Sequence, residues 1–174
     1  MGLDNKSPQK FGNFLDRKIF EKVNFNNIYY IDVKGENIEN LILRYSNLLK
    51  NNPLDIACIG IGENGHIGFN DPHVAKFADP ENIKQVNLDE KCRMQQVHDD
   101  CFDKLEDVPK EALTMTIPTI TSADYIFCVV PTDSKKKAVN KTIKGDIDTS
   151  CPASVLRSHQ RSVLYLDKDA SKLI

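Results

Sequence analysis

The chain has 174 residues, 40% of them hydrophobic and 28% charged, and a formal net charge of −2. This suits a soluble globular protein, read as one domain over residues 1–174 with a sizeable core. It excludes an electrostatic footprint for nucleic acid, any apolar run near the roughly 20 residues that span a bilayer, and an apolar signal region in the opening Met1–Pro8.

Five scattered cysteines, odd in number and without a C-x-x-C pair, read as reduced thiols and point to a cytoplasmic protein. Along the chain, Ser7-Pro8 reads as a helix start, a capping hydroxyl followed by proline at the first helical position. Phe11, Phe14, Leu15, Ile19 and Phe20 then predict about three helical turns. Ile28–Val33 reads as a short strand. Over Glu36–Lys50, Ile38, Leu41, Ile42, Tyr45, Leu48 and Leu49 share one helical face. Leu54–Ile61 is nearly all apolar, the pattern of a strand buried on both faces of a parallel sheet.

Residues 73–82 read as irregular, Ile83–Leu88 as a strand, and Asp89 as the cap of a helix reaching about Asp100. Leu113–Ile117 reads as extended and Pro118–Ser122 as a brief turn or helix. Tyr125–Val130 is a second fully apolar strand. Thr132 or Asp133 would cap a helix to Ile143, with Lys135, Lys136 and Lys137 in its first turn and Gly145 closing it. Pro152–Ser158 reads as a short helix, Val163–Leu166 as a strand and Asp167–Leu173 as a final helix. The alternation predicts an α/β fold with a mostly parallel sheet. Ligands of such sheets bind outside the carboxyl ends of the strands, where the loop after Ile61 and the loop before Lys135 could face one cleft.

The chemistry concentrates in Gly60–Pro72, read G-I-G-E-N-G-H-I-G-F-N-D-P, with four glycines, two asparagines, one histidine and two acids in thirteen residues. Gly60, Gly62 and Gly65 match the G-x-G-x-x-G of dinucleotide folds, and Asp89 could play the ribose-binding acid. However, no helical period follows Gly65, which weighs against that reading. The bland alternative is a glycine turn holding a satisfied histidine. Against it stands the crowding of Asn64, His66, Asn70 and Asp71. A catalytic reading uses each type: glycines that expose N–H groups, an imidazole that moves protons near neutrality, and an acid able to orient it. Asn64 could position a ligand hydroxyl.

The loop resembles the signature of the glucosamine-6-phosphate deaminase (isomerase) family, G-x-G-x-[DN]-G-H-I-[AG]-F-N-[ED]-P, in a Rossmann-like fold with helices on both faces of the sheet. The related 6-phosphogluconolactonases usually continue with threonine after the histidine, so Ile67-Gly68-Phe69-Asn70 favours the deaminase branch over a lactonase. Val108–Thr114 resembles the family's V-P-x-x-A-L-T, and Cys151–Ser154 its P-A-S segment. The resemblance implies a reaction free of metal and cofactor. A phosphorylated amino sugar, glucosamine 6-phosphate, is ring-opened and isomerised to fructose 6-phosphate with loss of ammonia. His66 would be the ring-opening acid/base, Asp71 its carboxylate partner, Asn64 a third catalytic residue and Gly65 a substrate contact. Lys135 matches the family's phosphate-contacting lysine, although Lys135–Lys137 could also be a solvated first turn. Neither Arg93 nor His98 is assigned the arginine role that many members place near them. His98 with Cys101 is too small a set for zinc.

Two departures stand out. Asp71 is one methylene shorter than the commoner glutamate. Because misplacement by about 1 Å can cost orders of magnitude in rate, either the site adjusts or ring opening is impaired. The family's D-E-Y segment, whose aspartate is the enolising base, and its glycine-threonine phosphate loop would lie upstream of Met1. The expectation is therefore a domain lacking its N-terminal strands, with little or no deaminase activity by itself, or else a fragment of a longer, active enzyme; the alternative to the deaminase function is a non-catalytic sugar-phosphate or partner-binding module derived from this family. An unpaired sheet edge would invite another chain, which keeps a homo-oligomer open.

Overall fold

In the computed structural model, which describes residues 3–4, 6–31 and 37–174, the chain builds two small sheets. Phe11–Leu15 forms helix α1, running into a π-helical turn at Asp16–Phe20. Lys10, and not Ser7, stands at the start of α1, and Ser7 and Pro8 lie in turns before it. Residues 28–31 are irregular, and the remainder of the strand expected over Ile28–Val33 lies outside the described residues. Helix α2, Ile38–Asn51, starts where the Asn37 side chain accepts from the Glu39 N–H, a cap that satisfies one free amide of the first turn. Its predicted apolar face buries Leu41 and Tyr45.

Strands β1 (Ile56–Ile59), β4 (Tyr125–Val130) and β5 (Ser162–Leu166) form a parallel sheet in the order β1-β4-β5. Ile56 pairs with Tyr125, and Ile126 with Ser162. Strands β2 (Ile83–Asn87) and β3 (Glu111–Met115) form a separate antiparallel pair, Ile83 opposite Met115, which the sequence pattern does not disclose. Helix α3, Glu90–His98, follows β2, with Asp89 capping the Cys92 N–H. Helix α4 is Ile117–Thr121, and α5 is Lys136–Lys144, entered through a 3₁₀ turn at Asp133–Lys135 with no side-chain cap.

Inward side chains of the parallel sheet (Ala57, Ile126, Cys128, Val130) pack with Ile117 and Ile120 of α4, Ala138 and Val139 of α5, and Ala153 and Leu156 of the 3₁₀ segment Pro152–Ser158. The outward side chains are a correction to the reading of β1 as buried on both faces, and β4 shares the pattern. Ile56, Cys58, Tyr125 and Val129 are exposed, so the alternation is that of a half-covered sheet. The final helix expected over Asp167–Leu173 is also absent. Asp167 Oδ1 caps the Ala170 N–H and the segment continues as turns, with Leu173 and Ile174 exposed and no apolar stripe to dock. All five cysteines are free, and no helix among the described residues is long and apolar enough to cross a membrane.

Candidate active site

The stretch Gly60–Pro72 leaves the carboxyl end of β1 and folds as linked turns, with no helix after Gly65. Gly62 N–H donates to the His66 carbonyl at 2.9 Å and Gly65 N–H to the Gly62 carbonyl at 2.9 Å. Gly65 has φ 87°, and a Cβ there would stand 2.7 Å from Cys151 Sγ, so glycine is needed twice over. The Gly65 carbonyl accepts from the Ala153 N–H at 2.8 Å, joining the loop to the Pro152–Ser158 segment. On the other side, the β2–β3 pair holds it. Thr114 Oγ1 accepts from the Phe69 N–H at 3.0 Å, and Asn70 Nδ2 donates to the Met115 carbonyl at 2.8 Å.

Within this frame His66, Asn64 and Asp71 form one network, with Asp71 fully buried and His66 nearly so. His66 Nδ1 lies 2.7 Å from Asn64 Oδ1 and 3.1 Å from Asp71 Oδ1. Both neighbours are acceptors, since Asn64 Nδ2 is spent donating to Asp71 Oδ1 and Asp89 Oδ2, each at 2.9 Å. Nδ1 therefore carries the ring proton, and Nε2 is left as the basic nitrogen. The second Asp71 oxygen accepts from the Asp89 N–H at 3.0 Å. Burial alone would push the Asp71 carboxyl up. The hydrogen bonds from His66, Asn64 and the Asp89 amide outweigh it and hold the group below the usual carboxylate range. The short Asp71 side chain thus reaches the imidazole.

Next to this network, Lys135 is buried where α5 is entered, with Nζ 3.7 Å from Glu63 and 3.8 Å from Asp99. Burial pulls its ammonium below the ordinary lysine value against the attraction of Asp99 and Glu63. The Gly60–Pro72 loop and the entry to α5 meet at the Lys135–Glu63 contact. Among the described residues, two sets bring metal-ligand atoms within 4.8 Å of one another: His66, Asp71 and Cys92, and Asp71, His73 and Asp89. Both depend on Asp71, whose oxygens are already taken by donors. Burial and the Asp71 charge also push the Cys92 thiol far up, keeping it protonated. Hydrogen bonding accounts for the first set without a cation.

The profile of the family described as "Glucosamine-6-phosphate isomerases/6-phosphogluconolactonase" matches residues 3–165. This chain belongs to that family. It is 34% identical over 173 residues to glucosamine-6-phosphate deaminases of Bacillus cereus and Bacillus anthracis, covering 99% of this chain and 64% of each relative. The chain thus spans just under two thirds of the length of these curated relatives. A solved monomeric glucosamine-6-phosphate deaminase superposes with a TM-score of 0.90 at 31% identity, over 99% of this chain and 71% of its own. A 6-phosphogluconolactonase of Thermotoga maritima, 18% identical over 88% of this chain and 63% of its own, shares the fold with a TM-score of 0.64.

The family loop brings Asn64, Gly65, His66 and Asp71 together, and Lys135 joins them through Glu63. Arg93, left unassigned from the sequence, points elsewhere: Nη2 donates to the Leu105 and Val108 carbonyls, tying α3 to the V-P segment. His98 reaches the site's edge, its Nδ1 3.2 Å from Glu63 Oε1. Sequence reading missed Asp89 as a member of the network, along with Glu63, Gln95 and Asp99 near Lys135. Asp89 was legible as a helix cap. That its helix starts against the family loop is a tertiary fact that no local pattern carries.

Proposed function

We propose that this site opens the ring of a phosphorylated amino sugar and isomerises it, taking glucosamine 6-phosphate and water to fructose 6-phosphate and ammonia. The observation that carries the reading is the buried His66–Asn64–Asp71 network, with Nδ1 pinned to two acceptors and Nε2 free to exchange a proton. Ring opening moves a proton from the anomeric hydroxyl to the ring oxygen, and Nε2 is the group suited to relay it. Asp71 stabilises the imidazolium formed on the way, as the acid of a catalytic triad does. Gly65 lets the loop backbone come close to the sugar, and Lys135 is the cation for its phosphate. Family membership and the likeness to named deaminases support the same assignment.

The test is ammonia release from glucosamine 6-phosphate, measured beside fructose 6-phosphate formation. Turnover by the chain itself is expected to be low, because the enolising aspartate of the family's D-E-Y segment has no match in residues 1–174, and to fall at least about 100-fold further in His66→Gln, while sugar-phosphate binding persists. Unchanged turnover in that variant would overturn the assignment of His66. Binding with no ammonia from the wild-type chain would instead favour a sugar-phosphate-binding module.

A further inference from the structure

Lys135 presents an anomaly that its role as a phosphate contact does not explain. Its side chain is 8% exposed, and Nζ is a buried atom with no hydrogen-bond acceptor. The two carboxylates beside it stand at 3.7 and 3.8 Å, within ion-pair range yet beyond hydrogen-bond reach. A buried ammonium lacking an acceptor is costly, and a phosphoryl oxygen would supply one. Yet Glu63 and Asp99 already stand within ion-pair range of Nζ, so an incoming anion would share the ammonium with two carboxylates.

The two acids are held differently. Glu63 belongs to the family loop. Its N–H donates to Gln95 Oε1 at 2.9 Å, its carboxylate faces His98, and its side chain is only 20% exposed. Asp99 is the C-cap of α3 and 46% exposed, with its Oδ2 accepting from Gln95 Nε2 at 3.1 Å. A carboxylate at the C-terminal end of a helix opposes the helix dipole, so α3 itself does not favour Asp99 there. Gln95 clips both acids in place, one through its carbonyl and one through its amide.

Resting on the reading of Lys135 as an anion contact, we propose that Glu63 and Asp99 are specificity-determining residues that compete with the phosphoryl group of the ligand for Lys135. The ligand gains the ammonium by displacing Asp99, the looser of the two, while Glu63 stays. Anion affinity is thereby set low by design of the site, and it rises when either carboxylate is neutralised.

Titration calorimetry with inorganic phosphate tests this on the full chain, comparing wild type with Asp99→Asn, Glu63→Gln and Asp100→Asn. Each substitution removes one negative charge, but Asp100 makes no ion pair with Lys135 among the described residues. Asp99→Asn and Glu63→Gln are expected to tighten phosphate about tenfold each, and Asp100→Asn less than about twofold. Equal affinities in Asp99→Asn and Asp100→Asn, or no measurable binding to any variant, overturn the proposal. The double variant Asp99→Asn/Lys135→Met separates the two layers of the argument. It is expected to lose the phosphate. Tight binding retained there would place the anion away from Lys135 and sink the underlying reading, whatever the single variants show.

Discussion

The Asp71 carboxylate has no exposure to solvent, and burial by itself would drive it to protonate. Donors from His66, Asn64 and the Asp89 amide reverse that tendency, so this one residue couples the site's chemistry to the stability of the chain. Asp71→Ala leaves one Asn64 amide hydrogen and the Asp89 N–H without an acceptor, with His66 Nδ1 held by Asn64 Oδ1 alone, and is expected to cost about 2–4 kcal/mol at neutral pH. Because the folded-state value lies below the unfolded one, Asp71 stabilises fully above the unfolded carboxylate value of about 4. That contribution is lost as the pH falls through the folded-state value. Urea unfolding from pH 7 down to pH 3 checks this: the gap between wild type and Asp71→Ala should be widest near neutrality and should narrow in acid. A gap that stayed constant across the range would show that Asp71 acts through packing and not through its charge.

At the scale of the element, the Gly60–Pro72 loop works because its glycines leave room for the imidazole. A Cβ on Gly62 would fall well inside van der Waals contact with His66 Cε1, Nδ1 and Nε2, so the ring packs directly on the glycine backbone. Gly62→Ala is expected to swing the ring off Asn64 and Asp71 and to lower turnover by about 100-fold or more, with displaced His66 ring resonances in NMR spectra. Gly60→Ala is the control, since a Cβ there would meet only the Val129 carbonyl at 3.4 Å, and it should leave those resonances in place. If Gly62→Ala kept both the resonances and the rate, the packing argument would fail. The loop was legible in the sequence because its parts lie within a few residues of one another: Asn64, His66 and Asp71 need no distant partner to be recognised. Capped or periodic elements were legible for the same reason, as in α2 and the Asp89 start of α3. The β2–β3 pairing was not, because its register joins segments more than twenty residues apart. Nor was the Glu63–Lys135–Asp99 contact, which exists only because the end of α3 lies against the loop. The expected last helix failed because Asp167 caps the Ala170 N–H and turns the chain where no apolar stripe enforced a helical period.

For the molecule as a whole, the decisive feature is a parallel sheet with one face in the core and an apolar second face open to solvent. Val129 is 57% exposed and Tyr165 50%, beside Ile56, Tyr125 and Val163. Parallel strands are ordinarily covered on both faces, and contiguous apolar patches of this kind attract other apolar surfaces. The edge position of β1, with no strand beyond it among the described residues, adds unpaired backbone to the same side. The isolated chain should therefore bind a hydrophobic reporter dye in its native state and associate more strongly as its concentration rises. The double variant Val129→Lys/Tyr165→Lys should lose most of the dye signal and sediment as a monomer over a wider concentration range. Its circular dichroism should match that of the wild type, because neither side chain contributes to the inner core. Strong dye binding that survived the double substitution would locate the accessible apolar surface elsewhere, for instance around Phe11 and Phe14 on α1, which are 70% and 41% exposed. The sheet face and the His66–Asn64–Asp71 network lie on different parts of the fold, the one on the outer surface of the strands and the other in the loop beyond the carboxyl end of β1.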